Sequence, residues 1–190
     1  MGRPSIASQN MSLLCELNSI DQRMLLSRAK SLLKLYRRVA LVTIADTDMT
    51  VKEVGAYYIG KDSFTYDIKA GLSYLADFEP YNRRKEFEAK LSRMFETQWM
   101  MELIEQAMAR VYGYLYDGKL YYEILYKSYM DKKKYKTVDL IEMFRLERST
   151  FFDRKREAAL LFGIALWGFG IPKLKNDLSS KESEHEKKTD

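Results

Sequence analysis

Residues 120–165 read LYYEILYKSYMDKKKYKTVDLIEMFRLERSTFFDRKREAALLFGIA. The stretch parses as a helix, a basic loop, a short helix, a tight turn and a longer helix. Residues 120–130 repeat apolar side chains at helical spacing, with Tyr121, Ile124, Leu125 and Tyr129 as the expected buried set. Lys132, Lys133, Lys134 and Lys136 then break the periodicity with charge. Thr137 stands where it can cap a short helix whose inward residues are Val138, Leu140, Ile141 and Phe144. Arg145, Leu146 and Glu147 form the turn, with Leu146 as the apolar plug between the helices. The next helix opens near Arg148 and continues through Phe151, Phe152, Ala158 and Ala159. A turn this short makes two helices cross steeply, and the second then projects its first turns outward.

On a helical wheel, Phe151, Ala158 and Phe162 share the side that must face a core. Ser149, Thr150, Asp153 and Arg156 fall opposite, flanked by Arg148 and Arg154. These six residues suit the reading of base edges in a major groove. Arg offers guanine two donors, Ser and Thr bond to base edge or phosphate, and Asp accepts from cytosine or orients an Arg. The four loop lysines are placed to meet phosphates. Lys155 falls on the inward side of the wheel, so it must snorkel or the helix must be rotated.

Residues 137–160, TVDLIEMFRLERSTFFDRKREAAL, resemble the C-terminal helix-turn-helix of phage-encoded transcription regulators of the ArpU/RinA-like group. Those modules in turn resemble region 4 of primary-type sigma factors. The likeness rests on the short helix with a Leu before the turn, on Arg148-Ser149-Thr150-Phe151-Phe152, and on the basic residues before Glu157-Ala158. It covers about 40 residues. Glu142 stands where such motifs often have a small residue, and Glu147 where a Ser or Thr cap is usual. The resemblance implies an all-α protein that binds double-stranded DNA without a cofactor, with RNA polymerase as a further partner.

Working outward, residues 1–18 read as a flexible leader with one apolar cluster at Met11, Leu13, Leu14 and Leu17. Residues 19–118 read as a helical hairpin or bundle and 119–172 as the DNA-binding domain. From 21 to about 44, Leu25, Ala29, Leu32, Leu33, Tyr36, Val39 and Ala40 lie on one stripe, with Asp21 as the N-cap. That helix is otherwise basic: Arg23, Arg28, Lys30, Lys34, Arg37 and Arg38. Thr50 and Glu53 have capping-box spacing. A helix over 63–78 would turn Phe64, Ile68, Leu72 and Leu75 inward. One long helix, or two nearly continuous ones, is expected over 82–116. Its stripe runs from Phe87 through Leu91, Met94, Phe95, Trp99, Leu103, Ala107 and Val111 to Leu115. Its partner should be the Asp21 helix or, in a homodimer, a second subunit. Asp117-Gly118 is a turn signal. Residues 173–190, with five Lys against five Asp or Glu, read as a disordered polar tail.

Composition narrows the function classes. The 190 residues include 46% hydrophobic and 31% charged residues, enough for a sizeable core under a solvated surface. With one Cys and one His, no internal disulfide, Cys/His zinc site or His-based triad can be assembled. Glu86 with Glu88, or Glu102 with Glu105, read as charge on helix faces rather than metal ligands. No signal peptide is expected, and the apolar run 158–172, interrupted by Gly163, Gly168 and Gly170, reads as too short to span a bilayer. A cytoplasmic protein follows. The net charge of +5 favours an acidic partner only weakly. Two other readings stay open: a DNA-packaging component resembling the small subunit of a viral terminase, and a protein-binding helical adaptor.

Overall fold

A helix that is apolar on every side needs cover on every side. From Ala158 to Trp167 each residue is buried, and this run is the axis on which the other helices pack. The computed structural model describes residues 5–45, 63–77, 94 and 98–186. The protein is all-α; no strand occurs among the described residues. The elements used below are α1 (Ile6–Leu17), α2 (Gln22–Ala45), α3 (Ser63–Asp77), α4 (Gln98–Tyr112), α5 (Gly118–Leu125), α6 (Thr137–Phe144), α7 (Arg148–Gly163) and α8 (Ile171–Glu186). Wider helical turns extend α5 over Tyr126–Met130 and join α7 to α8 over Ile164–Gly170.

From Ser5 onward, the stretch expected as a flexible leader is helical. Ser5 caps α1 by accepting the Ser8 N–H at 3.0 Å. Ala7, Met11 and Cys15, four residues apart, are buried in the core. This stripe is built from a small residue, a thioether and a thiol, so it is faint beside the more apolar Leu13 and Leu17, which are exposed. On α2 the expected cap is present, Asp21 accepting from the Arg23 and Met24 N–H groups at 2.7 and 3.0 Å. Leu25, Ala29, Leu32 and Leu33 are buried beneath it. On α3, Ile68, Leu72 and Leu75 point inward as the spacing predicts. The Thr50–Glu53 box, and the 82–116 stripe before residue 98 apart from buried Met94, lie outside the described residues.

α4 buries Trp99, Leu103, Ala107 and Val111 but ends at Tyr112, leaving Leu115 83% exposed. After a short turn, Asp117 in the left-handed region (φ 57°) caps the start of α5 at Gly118. A Cβ at Gly118 would sit 2.7 Å from the carbonyl oxygens of both Val111 and Tyr112. The chain therefore reverses tightly, and α4 packs on α5, on α7 and on the 164–170 segment rather than principally on α2. The principal partner of α2 is α7. Among the described residues, side chains from both sides of position 118 contribute to one core.

The polar tail is helical as far as Glu186, with Leu174 and Leu178 laid against the core and α3 as a neighbour. The Trp167 indole N–H donates to the Leu75 carbonyl at 2.8 Å, joining this region to the end of α3. One continuous helix runs from Arg148 to Ser180, 33 residues, and is long and apolar enough to cross a membrane on those criteria alone. The expectation that it is too short fails, because the glycines do not end it. What marks it as a core helix is that 67% of its apolar window is buried inside the protein.

The glycines instead permit close approach. A Cβ at Gly163 would lie 3.0 Å from Leu25 Cγ and 3.3 Å from Ala29 Cβ, at the α2–α7 contact, whereas at Gly168 the nearest atom is 3.6 Å away. Gly163→Val is expected to destabilise by about 1–3 kcal/mol through overpacking. Gly168→Ala should be neutral or stabilising, by up to about 1 kcal/mol. Equal Tm values for the two variants would show that α2 and α7 do not meet so closely.

Candidate nucleic-acid interface

α6 stops because its last turn is closed from both sides. Arg145 adopts the left-handed conformation (φ 52°), donates its N–H to Glu142 O at 3.0 Å, and lets Leu146 N–H reach Ile141 O at 3.2 Å. This is the Schellman pattern, and the two residues joined by the longer bond, Leu146 and Ile141, pack together over Ile124, Leu140 and Phe151. Leu146 is thus the plug that the spacing predicts. Lys136, not Thr137, takes the N-cap position of α6, and its N–H is satisfied by the Asp139 carboxylate at 3.0 Å. Val138, expected inside, is 71% exposed because it stands two residues, about 200° of helical turn, from buried Leu140.

Three residues separate Phe144 from Arg148, where α7 begins. Phe151 is wholly buried, stacked on Phe144 with ring centroids 6.3 Å apart, and Phe152 meets its edge at 5.7 Å. Ala158 and Phe162 are buried on the same helix. Opposite them, Ser149, Asp153 and Arg156 are exposed, flanked by exposed Arg148 and by Phe152 at 46%. Thr150 is half-buried and stands at the margin of this face.

Arg154 does not join the outward set. Its Nη1 lies 3.2 Å from the Asp117 carboxylate, 3.2 Å from Tyr121 Oη and 3.1 Å from Glu157 Oε2. Glu157 also accepts from Tyr121 Oη at 2.8 Å and from Ser5 Oγ at 2.6 Å. Burial and the Glu157 carboxylate push the Tyr121 hydroxyl well above the usual tyrosine range, so it stays protonated and donates. The cluster joins α1, α5 and α7, and it uses a cation that the wheel assigns to base reading. The Arg154–Glu157 spacing of three was the available signal, since such pairs meet on a helix.

Lys155 stays on the inward side of α7, half-buried, with its ammonium over aromatic rings. Its Nζ lies 4.8 Å from the Tyr129 ring centroid and 5.8 Å from that of Phe151. Burial, then the charges of Arg37, Lys34 and Lys30, hold its pKa below the ordinary lysine value.

The basic loop is braced rather than loose. Asp131 accepts from Lys127 Nζ at 2.7 Å, Tyr135 Oη at 3.2 Å and the Lys133 N–H at 3.0 Å. Arg37 on α2 donates to the carbonyls of Ser128 at 2.9 Å and Lys133 at 3.2 Å. Lys133 Nζ rests 5.0 Å from the Tyr135 ring centroid. Lys132, Lys133, Lys134 and Lys136 are all exposed, on the segment leading into α6. The structure thus presents four cations on a braced loop, followed by a two-helix unit with a mixed polar and aromatic outer face. Compared with protein-family models, curated proteins and solved structures, the chain matches none.

Arg154→Ala is expected to cost about 1–3 kcal/mol of stability, because it strips charge-assisted bonds from the partly buried Glu157. It should leave unchanged any ratio of affinities for preferred and random DNA. Denaturant unfolding and DNA titration on the same variant separate the outcomes, and a changed ratio with normal stability would return Arg154 to the reading face. A second expectation follows from Asp131, whose carboxyl the Lys127 ammonium, then the Lys133 N–H, holds below the usual range. A depressed folded-state pKa gives a contribution that is complete above the ordinary carboxylate range and lost as pH falls through the lowered value. Loop amides, Lys133 above all, should therefore lose exchange protection only on acidification below about pH 4. Loss of protection near neutral pH would show that Asp131 does not hold the loop.

Proposed function

We propose that this protein binds duplex DNA and reads its sequence with the outward face of α7, acting as a transcription regulator without catalytic chemistry. One observation carries the reading. The first turns of α7 expose Arg148, Ser149, Phe152, Asp153 and Arg156 together, while Phe151 and a closed three-residue turn hold the helix from behind. In this reading α6, the turn and α7 form a helix-turn-helix, and α7 is the recognition helix. Arg148 and Arg156 supply forked donors for guanine, Ser149 bonds to base or phosphate, and Asp153 accepts from cytosine or steers a neighbouring Arg. Phe152 adds what the wheel omitted, an apolar surface for a thymine methyl. Lys132, Lys133, Lys134 and Lys136 meet phosphates and set the register. The likeness of residues 137–160 to phage-encoded regulators supports the same reading.

The test is a titration of fragments of prophage and host DNA at two salt concentrations. One preferred fragment and a steep loss of affinity with salt are expected. On that fragment Arg148→Ala should cost about 1–3 kcal/mol and on random DNA little. Replacing the four loop lysines with Gln should weaken all sequences alike and reduce the salt slope by about 3.6. Equal losses on both DNAs for Arg148→Ala would make it a phosphate contact. No loss in a folded variant would remove α7 as the reader.

A further inference from the structure

The basic face of α2 lies outside the two-helix unit, yet it packs beside it. Lys30, Lys34 and Arg37 follow one another at steps of four and three, so they form one line along the helix. α2 rests on α7 along the Gly163–Leu25–Ala29 contact, and Arg37 is bonded to the backbone of the lysine loop at Lys133. On the α7 side of the same seam stand exposed Arg156 and half-buried Lys155. The charges feel one another: burial and then the charges of Arg156 and Lys34 lower the pKa of Lys30. Lys155 is likewise lowered, by burial and then by Arg37, Lys34 and Lys30. Five cations thus converge from two helices, with Glu105 beyond Tyr36 as a carboxylate at the margin. Such an arrangement repels itself and is relieved by a polyanion.

We propose that the Lys30–Lys34–Arg37 face of α2, with Lys155 across the seam, is a phosphate-binding track that extends the DNA interface beyond α7 and meets its reading face at Arg156. The proposal rests on the DNA reading above and names where the duplex backbone runs after leaving the recognition helix. Continuity favours a duplex over an acidic protein, since the track joins the outward face of α7 at Arg156 and the lysine loop at Arg37. Its length fits as well. Seven residues of helix rise about 10 Å, over which one strand of a duplex carries about three phosphates. α2 thereby fixes the direction in which DNA crosses the protein, and it adds affinity without adding sequence preference.

The test compares salt dependence for the full chain and the Lys30→Gln/Lys34→Gln variant, on a preferred and a random duplex of equal length. A Lys119→Gln/Lys173→Gln variant removes the same charge from α5 and α8. Losing two phosphate contacts should lower the salt slope by about 1.8, so that the fall in affinity between 50 and 200 mM salt becomes about tenfold smaller. The loss should be equal on both duplexes and absent from the control. Lys34→Glu alone, at an exposed position, should weaken binding further while Tm is kept. If the wild type binds DNA and the Lys30/Lys34 variant keeps its slope, the track is wrong and the DNA reading stands. Wild-type protein that ignores both duplexes overturns both, and capture by polyglutamate instead would point to an acidic protein partner.

Discussion

The structure depends on one constraint, the burial of a helix segment on all of its sides. Between Ala158 and Trp167 nothing polar interrupts the run, and every residue is covered. Each buried large apolar side chain of this run, such as Leu160, Leu161, Phe162, Ile164 and Leu166, contributes about 1.5–3 kcal/mol. No single partner helix can cover such a segment. α1, α2, α4 and α5 each take part of the α7 circumference, α1 and α4 continue along the 164–170 segment, and α3 is drawn in through the Trp167–Leu75 bond. The small residues along the run, Ala158, Ala159, Gly163 and Ala165, let neighbouring backbones come close.

The same helix changes character along its length, which places the candidate site. Its first turns carry charge on one side and Phe151 on the other, before the core closes round it. The outward face is therefore fixed in position by the most buried part of the described residues. Rigidity of this kind suits recognition, because side chains whose helix is already immobilised lose little further freedom on binding. The polar cluster of Ser5, Tyr121, Arg154 and Glu157 sits at the transition, where full burial gives way to solvent. There the charged groups keep some contact with water and complete their bonds with one another, which avoids the penalty of an isolated buried charge.

Electrostatics add a second organising feature. The net charge is modest, but its placement is not uniform. Cations gather on the 132–136 loop, on the α2 face and on the outer side of α7, and the loop is tied to α2 through Arg37. Two of the arginines that look alike in sequence, Arg154 and Arg156, are separated by 200° of helical turn. They end in opposite roles, one closing an internal network and the other facing solvent.

Much of the architecture was written in local periodicity. The spacing of Leu25, Ala29, Leu32 and Leu33, of Ile68, Leu72 and Leu75, and of Phe151, Ala158 and Phe162 identified helices and their buried faces, because helix geometry repeats every few residues whatever surrounds it. The Asp21 cap and the Leu146 plug are likewise local, each decided within one turn of chain. Tertiary structure decided the rest. Ala7, Met11 and Cys15 form a core stripe only because α7 lies over them, and the polar tail is helical where Leu174 and Leu178 find the same core. Leu115 and Val138 look apolar enough to be inside, but Leu115 lies past the end of α4 and Val138 on the side of α6 opposite Leu140. Arg154 was assigned outward by a wheel that knows angle but not neighbours, and Asp117, Tyr121 and Glu157 claimed it. A sequence specifies which side of a helix is apolar, since that is periodicity. Which polar side chain meets which is decided only when distant helices are brought within a few ångströms of each other.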